Sequence, residues 1–142
     1  TWTTVLSQAI TPAATSSKIL VQFSINVSGS VRYSAVKLYR DSTQIGMGDA
    51  DGSMARVSVG SMANESASNG ANVMFNSHFS FLDSPSSSSA VTYYVKAANT
   101  YTYTGNSYGP GSTTYINRMA SSGNSDWSHA GASTLTVTEI GA

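Results

Sequence analysis

No cysteine occurs among the 142 residues, which excludes a disulfide framework, a cysteine nucleophile and thiolate metal ligands. Charge is nearly as scarce. Seven Lys/Arg and seven Asp/Glu make 10% of the chain and cancel to zero, where an average domain carries roughly 25% charged residues. A neutral chain has no long-range field to steer it toward nucleic acid or an anionic membrane surface, and its copies repel one another little. No apolar run approaches the ~20 residues of a membrane-spanning helix, and no basic-then-apolar leader opens the chain. Nucleic acid and membrane insertion are therefore not expected. Strong helix formers are thin, with two Glu and three Lys, so a helical fold is not expected either.

What fills the space is hydroxyl. The chain has 27 Ser and 15 Thr beside 40% apolar residues, and Val, Thr, Tyr and Gly give it a β composition. In "SKILVQFSINVSG" the apolar positions Ile19, Val21, Phe23, Ile25 and Val27 alternate with Gln22, Ser24 and Asn26, the period of a strand with one buried face. "NVMFNSHFSFLD" repeats the pattern, with Val73, Phe75, Phe79 and Phe81 facing one way and Asn76 and His78 the other. "VRYSAVKLYRDSTQIGMG" reads as a strand through Arg40, a turn at Asp41–Thr43 and a return through Met47. Trp2–Ile10, "AVTYYVKAAN", "TTYINRMA" and "ASTLTVTEIGA" are further strands, and Ala55–Val59 fits one more inside the Gly/Ser/Met/Ala-rich stretch 49–71. About eight short antiparallel strands joined by Gly, Ser, Asn and Pro turns predict an all-β jelly-roll sandwich. The length suits a single domain over residues 1–142. The chain opens on Thr rather than Met, and we expect it to be a piece of a longer protein.

Four strings, in order, carry a resemblance: "AITPAATSSKILVQFSI", "KLYRDSTQIGMGDADGS", "FLDSPSSSSAVTYYVKA" and the terminal "STLTVTEIGA". Over almost the whole chain they resemble C-terminal domains of tailed-phage virion proteins, chiefly tail fibres of marine and cyanobacterial phages. Such domains are similar to the jelly-roll heads of the tumour-necrosis-factor and complement type, which assemble as trimers. The resemblance implies a homotrimeric knob at the end of a longer virion protein, located in the virion on a tail fibre or the capsid surface. It implies no reaction and no cofactor. The sequence departs from the family pattern at Thr138, where members commonly carry Met, and in its tyrosine-rich insertion.

Catalytic and metal-binding patterns find little support. "DADGS" at 49–53 has the opening of a calcium loop, but position 60 is Gly and the next Glu is Glu65, so the bidentate ligand such a loop needs is missing and a turn is expected. His78 and His129 have no third ligand at recognisable spacing; His78, on an alternating strand, reads as a hydrogen-bonded structural residue. The seven carboxylates mark out no glycosidase pair, and no GxSxG elbow appears. "NVS" at Asn26 and "NES" at Asn64 fit glycosylation acceptors, which would carry no meaning in the bacterially made virion protein that the resemblance implies.

The remaining candidate is "NTYTYTGNSYGPGSTTY", Asn99–Tyr115. Tyrosine offers a large, stiff contact area with a polar tip, and Ser, Gly and Asn offer adaptable hydrogen bonds, the mixture that builds paratopes. Aromatic faces also stack on sugar rings. Equally, Tyr101, Tyr103 and Tyr115 fit cross-strand pairs in a hairpin tipped by "GNSYGPG". The expected contact residues are Tyr101, Tyr103, Asn106 and Tyr108, with Trp127 and His129 in "SSGNSDWSHAG" behind them. Together with the resemblance, these lead to the expectation of a non-enzymatic fibre knob. Its partners would be host-surface polysaccharide or protein and other virion proteins. The alternative is a structural decoration, head-fibre or fibre-trimerising domain without a receptor.

Overall fold

The alternation read above becomes two antiparallel sheets in a computed structural model, which describes residues 1–29, 34–61, 74–100, 113–119 and 128–141. Nine strands are present: β1 Thr3–Ile10, β2 Lys18–Gly29, β3 Ser34–Arg40, β4 Thr43–Ile45, β5 Val59–Ser61, β6 Phe75–Asp83, β7 Val91–Asn99, β8 Thr114–Ile116 and β9 Thr134–Ile140. One sheet runs β1-β7-β3-β4 with β5 also on β3, and the other runs β6-β2-β8 with β9 also on β2. The all-β sandwich is thus as expected, five strands against four, and no helix occurs among the described residues. The chain crosses between sheets after β1, β2, β5, β6 and β7, so nearly every pairing joins strands distant in sequence.

The core lies where the alternation put it. Ile19, Val21, Phe23, Ile25 and Val27 of β2 are buried and meet Val36, Leu38, Val91, Tyr93 and Val95 of the facing sheet. β2 lies between β6 and β9/β8, with Ile19 opposite both Asp83 and Glu139, and Phe23 opposite both Phe79 and Leu135. The Phe23 and Phe79 rings lie 5.6 Å apart, and Phe79 stacks on Phe81 at 6.3 Å, distances at which aromatic pairs add stability beyond their buried area.

Two edge rows are each broken in two. β4 and β5 follow one another along β3, with Thr43–Ile45 on Arg40–Leu38 and Val59–Ser61 on Val36–Ser34. β8 and β9 likewise share the edge of β2, at Val27–Gly29 and Lys18–Ser24. These breaks shift the expected boundaries. The return strand stops at Ile45 because Gly46 turns with φ +54°. The strand expected at Ala55–Val59 forms instead at Val59–Ser61. Arg56 Nε donates to Gly48 O at 2.7 Å and Gly48 N–H to Val57 O, closing 48–57 into a self-bonded loop. The β8 strand ends after three residues because Asn117 adopts φ +62°.

Candidate functional site

The two ends of the sandwich differ. At one end lie the turns after Ile10, Arg40 and Asp83, and they are tied by charge. Arg40 Nη1 donates to both carboxylate oxygens of Asp83, at 2.9 and 2.8 Å, and the buried Tyr93 hydroxyl donates to Asp83 Oδ2 at 2.8 Å. This ion pair joins the two sheets, β3 to β6, and Asp83 is only 6% exposed. Burial, followed by the Asp83 carboxylate, pushes the Tyr93 phenol far above the ordinary tyrosine range. Asp41 accepts the Thr92 N–H at 2.9 Å. Glu139 on β9 accepts the Ala13 N–H at 2.8 Å, and hydrogen bonds from the Ser17 hydroxyl and that N–H lower its carboxyl below the usual range.

These residues come from the strings that carried the resemblance: Arg40 from "KLYRDST", Asp83 from "FLDSP", Tyr93 from "TYYVK", Glu139 from "TVTEIGA", and Ala13 and Ser17 from "TPAATSS". They converge on ties between neighbouring turns and strands, buried at Asp83 and Tyr93 and exposed at Ala13–Glu139. What the strings encode here is the closure of one end of the sandwich.

At the opposite end residues 30–33 join Gly29 to Ser34, the chain leaves β5 after Ser61, and residues 101–112 join Thr100 to Thr113. A recess of about 400 Å³ lies there between β1, β7 and β8, lined by Thr1, Thr3, Val5, Ala97, Ala98, Asn99, Thr113, Thr114 and Ile116. Its lining mixes aliphatic side chains with hydroxyl and amide groups. Ser34 Oγ and Thr114 Oγ1, 3.0 Å apart, tie the two sheets beside it. The recess is therefore built by the residues that flank the tyrosine-rich segment.

Of the six expected contact residues, Tyr101, Tyr103, Asn106, Tyr108 and Trp127 lie outside the described residues. Asn64, the second sequon asparagine, does as well. His129 is placed. It is exposed, and its backbone pairs with Met119, the Met119 N–H donating to His129 O at 3.3 Å. Neighbouring Arg118 pairs with Ala130, lays its guanidinium 4.3 Å over the Tyr115 ring, and has its carbonyl bonded by Ser28 Oγ at 2.7 Å. His129 thus lies on a short stem fixed against β2, while Tyr115 belongs to β8.

Three smaller sequence features also have a place in the structure. His78 is exposed opposite Ser24 on the polar outer face of β6 and β2, the side that the alternation assigned to it, with the phenylalanines on the other. Asp51 heads a turn, its carbonyl accepting the Met54 N–H at 3.0 Å. No group of three His, Cys, Asp or Glu that could hold a metal occurs among the described residues. The Asn26 amide donates to Ala132 O at 2.6 Å and accepts from Asn76 Nδ2 at 2.9 Å, so it is held in the joint between β8 and β9.

One arrangement escaped the sequence reading. On the outer face of the five-stranded sheet Lys37 stands directly opposite Lys96, and Tyr39 opposite Tyr94. Alternation assigns each residue to a face, but only the register of β3 on β7 brings the two lysines together. No protein-family model, curated protein or solved structure matches the chain.

Proposed function

We propose that this domain is the trimeric head of a phage fibre, a non-enzymatic module of the virion that attaches to glycan on the host surface. The observation that carries the reading is the asymmetry of the sandwich: the Arg40–Asp83–Tyr93 tie closes one end, and at the other the described ends of the tyrosine-rich connection, Asn99 and Thr113, line a recess. A rigid scaffold that presents such connections at one end is how recognition is commonly built. The tyrosine-rich segment, anchored by Asn99–Thr100 and Thr113–Thr114, supplies aromatic faces for sugar rings. His129 on the Arg118–Ala130 stem, with Trp127, forms a second contact. Three equivalent sites on one knob, repeated over several fibres, convert weak single contacts into firm attachment.

The test is binding of the purified protein to host cells and to their extracted polysaccharide. A Tyr103→Ala/Tyr108→Ala double variant with an unchanged unfolding midpoint is expected to lose binding. Undiminished binding would remove the segment from the site. The receptor-free reading draws support from the outer face of the four-stranded sheet, which exposes Leu82 and Ile140 at 54% and 48% among Ser and Thr. If the wild-type trimer binds no host surface at all, the domain is a structural clamp or decoration.

A further inference from the structure

The chain has three lysines in all, and the register of β3 on β7 sets two of them, Lys37 and Lys96, directly opposite each other. Like charges at such positions, with Cβ atoms about 5 Å apart, destabilise a strand pair. In a protein with so few charges this is a conspicuous cost. It is not relieved by carboxylates: the described strand positions on this outer face are Thr4, Ser7, Thr92, Gln44 and their apolar and aromatic neighbours. Neither lysine forms an ion pair among the described residues, and Asp41, at the end of β3, is engaged by the Thr92 N–H.

Each ammonium rests instead on aromatic rings. Lys37 Nζ lies 4.4 Å above the Trp2 ring, and Lys96 Nζ lies 4.3 Å above Tyr39 and 5.8 Å from Tyr94. Ring faces attract a cation by their quadrupole but leave its charge unneutralised. They also hold the two long side chains in place, which lowers the entropy lost when something binds. The face thus presents two pre-positioned cations framed by Trp2, Tyr39 and Tyr94.

We infer that this face is a binding site for an acidic polysaccharide, with an anionic substituent seated between Lys37 and Lys96 and the adjoining sugar ring against the tyrosines. Charge complementarity selects an anion, and the aromatic frame selects a sugar over a bare inorganic ion. The inferred site draws on no residue of the tyrosine-rich segment, so the two readings are tested by different substitutions.

The experiment is affinity electrophoresis and titration of the whole chain with alginate oligomers (carboxylate), dextran sulfate (sulfate) and neutral dextran. Binding to at least one polyanion, weakening with salt, and none to dextran is expected. Lys37→Gln/Lys96→Gln should weaken it by about tenfold or more, as loss of two charge-assisted contacts requires. Lys37→Arg/Lys96→Arg should keep it, and Tyr103→Ala/Tyr108→Ala should leave it unchanged. The glutamine variant should keep a cooperative unfolding transition, since it removes a repulsion and the cation–π contacts together. Preference for alginate or for dextran sulfate tells which anion is read. The inference is overturned if neither polyanion binds, if dextran binds equally, or if the glutamine variant binds as wild type does.

Discussion

Asp83 shows how much a single side chain decides. It is buried, accepts two bonds from Arg40 and one from Tyr93, and joins the two sheets at one end. Removing one partner of a buried pair strands the other charge, so Asp83→Ala should lower stability by about 3–5 kcal/mol. Tyr93→Phe leaves the ion pair intact and loses one bond to a charged acceptor, about 1.5–3 kcal/mol. Urea unfolding of the two variants checks the ranking, and equal losses would mean that the ion pair contributes nothing. The phenol also makes stability depend on pH. Its folded-state pKa is raised, first by burial and then by Asp83. Its contribution is therefore intact below the ordinary tyrosine range and is lost as pH rises past about 10, where the unfolded chain ionises first. Tyr93→Phe should flatten that alkaline decline. Glu139 works in the opposite sense: its lowered carboxyl contributes above the usual carboxylate range and is lost as pH falls through it, so Glu139→Gln should flatten the acid limb of the same curve.

At the scale of elements, the interruptions matter more than the strands. Gly46 ends β4 with φ +54°, and a Cβ there would lie 2.7 Å from Phe79 Cε1 and 3.2 Å from Phe81 Cγ. Gly52 has nearly the same backbone, φ +50°, with nothing within 4 Å. The pair separates two costs. Gly52→Ala should lose only the left-handed backbone penalty, about 1 kcal/mol. Gly46→Ala should lose that and a further 1–3 kcal/mol or so for crowding the core. Similar losses in thermal unfolding would show that the Phe79 ring simply swings aside. This level was only partly legible in the sequence. β2, β6, β7 and β9 could be read from alternation alone, because each buries one face continuously along its length. The broken rows could not, because Ser58 and Ser133 substitute side-chain bonds for ladder bonds: Ser58 Oγ accepts the Leu38 N–H and Ser133 Oγ accepts the Asn26 N–H. Nothing in a serine announces that it will take a neighbour's backbone as partner. The Lys37–Lys96 pair was hidden for the same kind of reason, since register is a property of two strands and neither one states it.

For the whole molecule the decisive fact is where charge is absent. The outer face of β6, β2 and β9 presents Asn76, His78, Ser80 and Leu82, then Leu20, Gln22 and Ser24, then Thr134, Thr136, Thr138 and Ile140. No strand position on it other than Lys18 at the end of β2 carries a fixed charge, and the Lys18 amino group donates to Ser84 Oγ at 2.8 Å. The opposite face carries the two lysines. Copies of the domain can therefore approach through the neutral face without repulsion, whereas lysine-bearing faces would oppose each other. The proposed trimer is accordingly expected to bury Leu82 and Leu20. Light scattering at micromolar concentration should give three times the 14.8 kDa chain mass, little affected by added salt, because screening acts on charges that this contact lacks. Leu82→Lys should give the monomer mass while retaining the unfolding transition, since Leu82 is 54% exposed within one chain and the core does not use it. A wild-type monomer would overturn the trimer. A Leu82→Lys protein that remained trimeric would move the contact away from this face.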